Sequence, residues 1–205
     1  MKRVLLVRHG QSRWNAEQRW QGHADPPLSE LGERQARHAA AAVAVFAPSI
    51  VVTSDLERAR GTGERLAPGG LIVLADASWR ERDAGAWTGL LRSEIDERYP
   101  GWIEDHRRPP GFEGDAALME RIGPALHRLG TELHEGGVAI VVTHGGVIRA
   151  LEHHLGATPS PVPNLGARWL VAASARREGS EGWVLGAREL LIDPDEITMT
   201  ASPQL

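Results

Sequence analysis

The stretch Val4-Leu5-Leu6-Val7-Arg8-His9-Gly10 joins four apolar residues directly to two basic, chemically active side chains. The same design occurs twice more along the chain. The other copies are Ile50-Val51-Val52-Thr53, which runs into Ser54-Asp55-Leu56-Glu57-Arg58, and Ile140-Val141-Val142-Thr143, which runs into His144-Gly145-Gly146. Short runs of this kind, rich in β-branched residues, are typical of strands buried on both faces of a parallel sheet.

Helical patterns lie between these runs. Ser29 is placed to cap a helix over 30–46, which Pro48 would end. Further helices are predicted over 56–66, 115–134 and 147–155, and late strands over 167–173 and 182–191 as a hairpin on the sheet edge. Strands that alternate with helices predict an α/β fold, in which ligands bind outside the carboxyl ends of the strands.

The composition excludes several classes of function. The chain has 205 residues with 23 Lys and Arg, 27 Asp and Glu, and no Cys, so disulfides, thiolate metal sites and cysteine nucleophiles are ruled out. The net charge of −4 provides no general attraction to nucleic acid or to an anionic membrane. The longest apolar stretch, 39–47, is far below the ~18 residues of a membrane span. We therefore expect a cytoplasmic protein with a small-molecule partner, and a homodimer is left open.

Basic side chains follow the ends of the three apolar runs. Because the carboxyl ends of parallel strands meet at one edge of a sheet, that edge should gather Arg8, His9, Ser54, Arg58 and His144. Two imidazoles and two guanidiniums converging in an acidic chain form a local anion site. Phosphate is the anion that such donors suit best.

Four motifs in order resemble those of one family. They are R-H-G-x-x-x-x-N from Arg8 to Asn15, S-D-L-x-R-A at 54–59, W-R-E-R-D-A-G-A-W-T-G at 79–89, and T-H-G-G at 143–146. Together, from residue 4 to about 155, they resemble the histidine phosphatase superfamily, in the branch of cofactor-dependent phosphoglycerate mutases and related phosphatases. The resemblance implies a three-layer α/β/α sandwich with a mostly parallel central sheet. It also implies a single domain over 1–205 with a small cap or insert around 88–115.

The same resemblance implies catalytic roles. His9 resembles the nucleophile that takes the phosphoryl group onto Nε2, and the cations Arg8 and Arg58 would help to keep its ring neutral. A hydrogen bond from Nδ1 to a backbone carbonyl would select the tautomer. Glu81 resembles the residue that protonates the leaving oxygen and then activates water, with Asp83 as its local competitor.

A phosphate-binding set is implied as well. Arg8, Arg58 and His144 resemble a clamp for the transferring phosphoryl group, in which His144 would be protonated when phosphate is bound. The other implied contacts, which carry amide or backbone donors, are Asn15, Gln21 and Gly22. The backbone amides of Gly10 and Gln11 are expected to add donors. Ser12 could equally contact the ligand or satisfy a backbone group in a turn.

A metal site is the less favourable interpretation of the two histidines. His9 and His144 could share a zinc ion only with a third protein ligand, for which Glu81 is the available carboxylate. Two arginines beside a divalent cation would repel it, and they already supply the positive charge that phosphate needs. The sequence therefore predicts no metal and no cofactor.

Two reactions remain open within the family. The segment after Gly89 lacks the Lys that mutases carry there, which favours a phosphatase acting on a sugar phosphate or phosphoglycerate-type ester through a phosphohistidine. The stretch 102–115 resembles a phosphatase segment, although Phe112 and Gly114 depart from it. Arg107 and Arg108 could bind a second acidic group, so a cofactor-dependent phosphoglycerate mutase is the alternative.

A third hypothesis belongs to another class, an inactive module that only binds phospho-ligands. Such a module would be expected to have lost some of the implied catalytic residues, and this chain retains all of them.

Thr88 stands where the family usually has Glu, which leaves a structural contact in doubt. Four tryptophans are expected near the cleft: Trp14, Trp20, Trp87 and Trp102. For these residues a role in packing is favoured over stacking on the substrate.

Overall fold

A six-stranded sheet forms the centre of the computed structural model, which describes residues 1–173, 182–193 and 195. Its spatial order is β3-β2-β4-β1-β5-β6. The strands are β1 (Arg3–Arg8), β2 (Ile50–Thr53), β3 (Val73–Ala75), β4 (Val138–Thr143), β5 (Gly166–Ala172) and β6 (Trp183–Leu190). The first four run parallel to one another, and β5 and β6 are antiparallel to their neighbours.

The register of the parallel strands determines where the site forms. Arg8 at the end of β1 pairs with Thr143 at the end of β4. On the other side of β4, Thr53 of β2 pairs with Val142. The three apolar runs identified in the sequence therefore end at one edge, and the residues that follow them are neighbours although they are far apart along the chain.

Helices cover both faces of the sheet. They are α1 (Arg13–Ala16), α2 (Glu30–Val45), α3 (Glu57–Leu66), α4 (Arg92–Arg98), α5 (Asp115–Glu132) and α6 (Gly145–His154). Ser29 caps α2 as expected, since its side chain accepts a hydrogen bond from the Gly32 amide. The predicted longer helices and late strands are confirmed within two residues at each end. The sequence analysis did not predict α1, α4, β3 or the short 3-10 turns at Ala77–Trp79 and Gly85–Trp87.

Two buried apolar clusters make the sandwich. One combines Leu6 and Val141 with residues of α5 and α6, such as Leu126 and Ile148. The other combines Leu5 and Ile140 with residues of α2 and α3. Because alternate residues of each strand enter opposite clusters, the sheet is buried on both faces, and the predicted three-layer α/β/α sandwich is confirmed.

A third cluster lies under the segment 84–112. It contains Trp20, Ala84, Trp87, Ile95 and Ile103, with Trp87 fully buried and its ring 5.1 Å from that of Trp20. This segment includes most of the cap expected around 88–115, and the division of the chain into one domain with a small cap stays a prediction. Within the described residues, no helix combines the length and apolarity that crossing a bilayer requires.

Candidate active site

A cavity opens at the edge where β1, β2 and β4 end. Its walls combine the predicted site residues with cations and apolar side chains that sequence reasoning did not assign to it. The lining residues are His9, Asn15, Gln18, Arg19, Trp20, Gln21, Gly22, Arg58, Glu81, Arg82, Ala84, Phe112, Gly146 and Arg149. Arg8 and His144 are not part of this lining and lie buried beside it.

His9 is buried and held in one tautomer. Its Nδ1 lies 2.6 Å from the carbonyl oxygen of Gly10, and since a carbonyl can only accept, Nδ1 carries the proton. Burial lowers the pKa of His9 well below its usual value, and the positive charges of Arg58 and Arg8 lower it further. The ring is therefore neutral, and the lone pair on Nε2 is free to act as a nucleophile.

His144 packs edge-on against His9, with the ring centroids 5.1 Å apart and the planes at 64°. It immediately precedes α6 and is fully buried. Neither ring nitrogen has a hydrogen-bond partner within the described part of the chain. Burial lowers the pKa of His144 well below its usual value, and Arg58 and His9 add to this. An anion placed between the two rings would reverse the effect by favouring the imidazolium form.

The two predicted clamp arginines are both buried, and each is tied to backbone carbonyls. Arg8 donates from Nη1 to the carbonyl of Val162 at 2.5 Å. Arg58 donates to the carbonyls of Ala24 at 2.7 Å and Gly22 at 2.9 Å. Burial lowers the pKa of each guanidinium to about 10, so both stay charged at neutral pH. Arg58 thus fixes the loop at 22–24 as well as lining the cavity.

Glu81 directs a buried carboxylate at the same cavity. Its Oε1 accepts from the Arg82 amide at 2.8 Å and its Oε2 from the Gly146 amide at 3.0 Å. A Cβ atom at position 146 would clash with this carboxylate, so the second glycine of T-H-G-G is what lets the acid approach. Asp83, the competitor, instead accepts from the Gly85 amide at 2.8 Å and does not line the cavity.

The loop after β1 orients two amide side chains. Ser12 is fully buried and caps α1; its Oγ accepts from the Asn15 amide and donates to Gln21 Oε1 at 2.6 Å. Asn15 Oδ1 accepts from the Ser12 amide at 3.2 Å. With both side-chain oxygens engaged, each amide side chain keeps its nitrogen as the end that can donate to a ligand. Ser12 therefore satisfies a backbone group, which is the structural one of the two roles that the sequence left open for it.

Gly22 brings the loop close to the cap segment. Its φ of 51° lies in the left-handed region, and a Cβ atom there would lie 2.6 Å from the Ala84 nitrogen. Only glycine combines this backbone angle with this approach.

The prediction that Gly10 and Gln11 supply backbone donors to phosphate is wrong. The Gly10 amide donates to Thr62 Oγ1 at 3.0 Å, and the Gln11 amide donates to Gln35 Oε1 at 2.9 Å. These amides turn toward α2 and α3 because the chain passes close to α2 at this point: a Cβ on Gly10 would lie 2.7 Å from the Gly32 carbonyl oxygen.

Arg107 and Arg108 are not brought to the cavity either. Arg107 stacks on Trp102 at 4.2 Å from the ring centroid, and Arg108 lies 5.3 Å from that of Phe112.

Of the four tryptophans that the sequence places near the cleft, Trp20 reaches the cavity wall. Trp87 and Trp102 pack in or against the third cluster, as the packing interpretation predicts.

Asn164, Arg82 and Arg149 are among the residues near the site that sequence reasoning missed. Asn164 is fully buried and donates from Nδ2 to the His9 carbonyl at 2.9 Å. It lies in a proline-rich stretch with no pattern that would have indicated it. Arg82 and Arg149 line the cavity; Arg82 stands within the motif at 79–89 and Arg149 three residues after T-H-G-G, so these motifs could have suggested both. Within the described residues, no group of three or more His, Asp or Glu is placed to hold a metal ion.

A family model for the histidine phosphatase superfamily (branch 1) matches residues 4–171. The chain belongs to this superfamily. The match spans all four motifs, and it confirms the resemblance drawn from the sequence and the prediction that the chain is an enzyme.

Relatives of this histidine phosphatase carry two kinds of name. This chain is 36% identical over 200 residues to a glucosyl-3-phosphoglycerate phosphatase of Mycolicibacterium vanbaalenii, and the match covers 89% of each chain. It is 39% identical over 158 residues to phosphoglycerate mutase-like protein 4 of Arabidopsis thaliana, covering 72% of this chain and 68% of that one. Among solved structures, a mycobacterial glucosyl-3-phosphoglycerate phosphatase in complex with VO3 superposes with a TM-score of 0.81 at 31% identity, covering 91% and 98% of the chains.

Proposed function

We propose that this histidine phosphatase hydrolyses small phosphate monoesters of the sugar-phosphate or phosphoglycerate type through a phosphohistidine at His9. The observation that carries the proposal is the edge-on contact between the buried rings of His9 and His144, whose centroids are 5.1 Å apart. Buried guanidiniums flank the pair, and the carboxylate of Glu81 lines the same cavity. The names of the mycobacterial relatives support the reaction class and the type of substrate.

The first step transfers the phosphoryl group to the enzyme. His9 Nε2 attacks phosphorus, the bond between phosphorus and the ester oxygen breaks, and Glu81 gives its proton to the departing oxygen, so an alcohol leaves. Arg8, Arg58 and a protonated His144 bind the phosphoryl oxygens and stabilise the charge that spreads over them in the transition state.

The second step releases phosphate. Glu81, now a carboxylate, takes a proton from water, whose oxygen attacks the phosphorus of the phosphohistidine. The bond from phosphorus to Nε2 breaks, which restores neutral His9 and protonated Glu81. Asn15, Gln21 and Gly22 complete the phosphate-binding set by donating to its oxygens. The guanidiniums and the imidazolium supply the positive charge, so the proposed reaction needs no metal or cofactor.

The mutase alternative rests on relatives whose names are phosphoglycerate mutase-like protein 4 and probable phosphoglycerate mutase GpmB. A mutase must hold a second acidic group while it reorients its intermediate. The two arginines expected for that task, Arg107 and Arg108, stack on aromatic rings away from the cavity lining. If 3-phosphoglycerate interconverts in the presence of 2,3-bisphosphoglycerate faster than phosphate is released, the mutase assignment replaces ours.

Hydrolysis of p-nitrophenyl phosphate in the presence of EDTA tests the proposal. We expect turnover that EDTA does not affect and that His9→Ala reduces by more than about a thousandfold, because the nucleophile is lost. Glu81→Gln should also slow turnover, because Glu81 activates the water of the second step. Asp83→Asn is its matched control and should not, since only Glu81 of the two lines the cavity. The absence of turnover on every phosphoester in a panel would support the binding-module hypothesis, and loss of turnover in EDTA would support a metal.

The cellular setting is part of the same proposal. A cytoplasmic location with small-molecule partners fits a sequence that has no cysteine. A homodimer stays a prediction.

A further inference from the structure

One cavity arginine has neither an ion pair with a carboxylate nor a short hydrogen bond among the described residues. Arg149 is half-buried in the cavity wall, and its one hydrogen bond among the described residues is a long one of 3.4 Å from Nε to the Gly145 carbonyl. No ion pair joins it to a carboxylate in the described part of the chain. Burial lowers the pKa of this guanidinium, an effect that the negative charge of Glu81 opposes. A partly buried cation without a partner is costly, which makes a ligand anion favourable there.

The other cavity arginines are already engaged. Arg58 donates to two backbone carbonyls. Arg82 pairs with Asp115 at 2.7 Å, and Arg19 pairs with Glu17 at 3.1 Å. Arg149 is therefore the cavity cation with most of its donors uncommitted.

The position of Arg149 indicates which part of the substrate it meets. It follows Gly146 by three residues on α6, so the two lie on the same face of that helix. The Gly146 amide holds the carboxylate of Glu81 at 3.0 Å. Because the proposed role of Glu81 is to protonate the departing oxygen, Arg149 lies on the side of the cavity where the alcohol portion must sit.

We propose that Arg149 binds a carboxylate on the alcohol portion of the substrate, so that the enzyme selects phosphate esters of hydroxy acids. This inference rests on the hydrolase function proposed above. A single guanidinium matches a single negative charge and can hold both carboxylate oxygens through paired N–H donors. A second phosphate would bring about two charges to one uncommitted cation, which makes it a poorer match.

Two substrates of the same shape isolate the carboxylate. 3-Phosphoglycerate and glycerol 3-phosphate differ in having a carboxylate or a neutral hydroxymethyl group at the same position. We expect the wild-type enzyme to favour 3-phosphoglycerate in kcat/KM by at least about tenfold, since a hydrogen bond between two charged groups is stronger than one to a neutral hydroxyl. Arg149→Gln should remove most of that preference, chiefly through KM for 3-phosphoglycerate.

Arg107→Gln is the matched control, because Arg107 is exposed and stacks on Trp102 outside the cavity. The preference should survive in this variant. A wild-type enzyme that hydrolyses both substrates equally, or an Arg149→Gln enzyme that keeps the preference, overturns the inference. So does a preference that Arg107→Gln abolishes.

A binding measurement separates this inference from the hydrolase proposal. Calorimetric titration of the His9→Ala protein with the two compounds reports the preference without turnover, and His9→Ala/Arg149→Gln should lose it. If the preference is present in binding but the wild-type enzyme turns over no phosphoester, the hydrolase proposal fails and the role of Arg149 stands. If the binding preference is absent while p-nitrophenyl phosphate is hydrolysed, the role of Arg149 fails alone.

Discussion

The site depends on Gly146 because glycine has no Cβ atom. The T-H-G-G motif brings His144 to the strand end, and its second glycine leaves the space that the carboxylate of Glu81 occupies. The same residue supplies the amide that holds Glu81 Oε2. Residue 146 thus positions an acid that lies 65 residues earlier in the chain.

Gly146→Ala should therefore impair the step that needs the acid. The added methyl group displaces the Glu81 carboxylate, and general acid catalysis typically contributes ~10²–10⁴-fold. We expect kcat/KM, which reports the transfer of the phosphoryl group to His9, to fall at least about tenfold for an alkyl phosphate and much less for p-nitrophenyl phosphate, because nitrophenolate leaves in that step without a proton.

Steady-state kinetics on the two substrates measures the difference. Gly69→Ala is the control, since a Cβ there has nothing within 4 Å. Equal losses on both substrates would contradict a role in placing the acid.

At the scale of elements, one buried carboxylate joins α6 to β5 and β6. Glu152 of α6 is 1% exposed and binds Arg188 of β6 through two hydrogen bonds of 2.9 and 2.6 Å. Its Oε1 also lies 3.4 Å from Nε of Arg168 in β5. Since α6 carries His144 at its start, this contact helps to set the position of the helix on the sheet.

Glu152→Gln should destabilise the fold by about 3 kcal/mol, because it leaves two arginines partly buried without their counter-charge. Urea unfolding monitored by tryptophan fluorescence measures the change. Glu33→Gln removes an exposed carboxylate that also lies near two arginines, and it should cost less than about 1 kcal/mol. Similar losses in the two variants would show that the buried contact is no stronger than a surface ion pair.

At the scale of the whole molecule, two buried neutral histidines make folding depend on pH. Burial is the main cause that lowers the pKa of His9 and of His144, and Arg58 adds to it in both cases. In the unfolded chain both would titrate near 6.5. Below about pH 6.5 the unfolded state therefore binds more protons than the folded state, so the free energy of unfolding falls as the pH falls.

Each of these histidines can contribute up to about 1.4 kcal/mol per pH unit in that range. Urea unfolding between about pH 7.5 and about pH 5.5 should show a steep loss of stability that His9→Asn/His144→Asn flattens. Exposed His154→Asn is the control and should keep the wild-type slope. A wild-type slope that the double substitution leaves unchanged would mean that other groups govern the pH dependence.

Local patterns were enough to predict the frame of the molecule. The apolar runs before Arg8 and His144, and the cap at Ser29, predicted strands and a helix that the structure confirms. β3 escaped notice because it has three residues and two of them are exposed, so it carries no apolar run. α1 and α4 are short enough that tertiary contacts, rather than their own periodicity, hold them in place.

The sequence by itself determined the family, the longer helices and the strands that lead to the site, because apolar runs, helical periodicity and caps are local patterns. It also predicted the gathering of Arg8, His9, Arg58 and His144 at one edge, because the carboxyl ends of parallel strands meet there. Only the tertiary structure decided which partner each hydrogen-bond donor and each cation meets. It turned the Gly10 and Gln11 amides away from the cavity, stacked Arg107 on Trp102, and left Arg149 with its charge unpaired beside Glu81. Which hydrogen bonds a group makes depends on partners far away in sequence, and those distances exist only once the chain has folded.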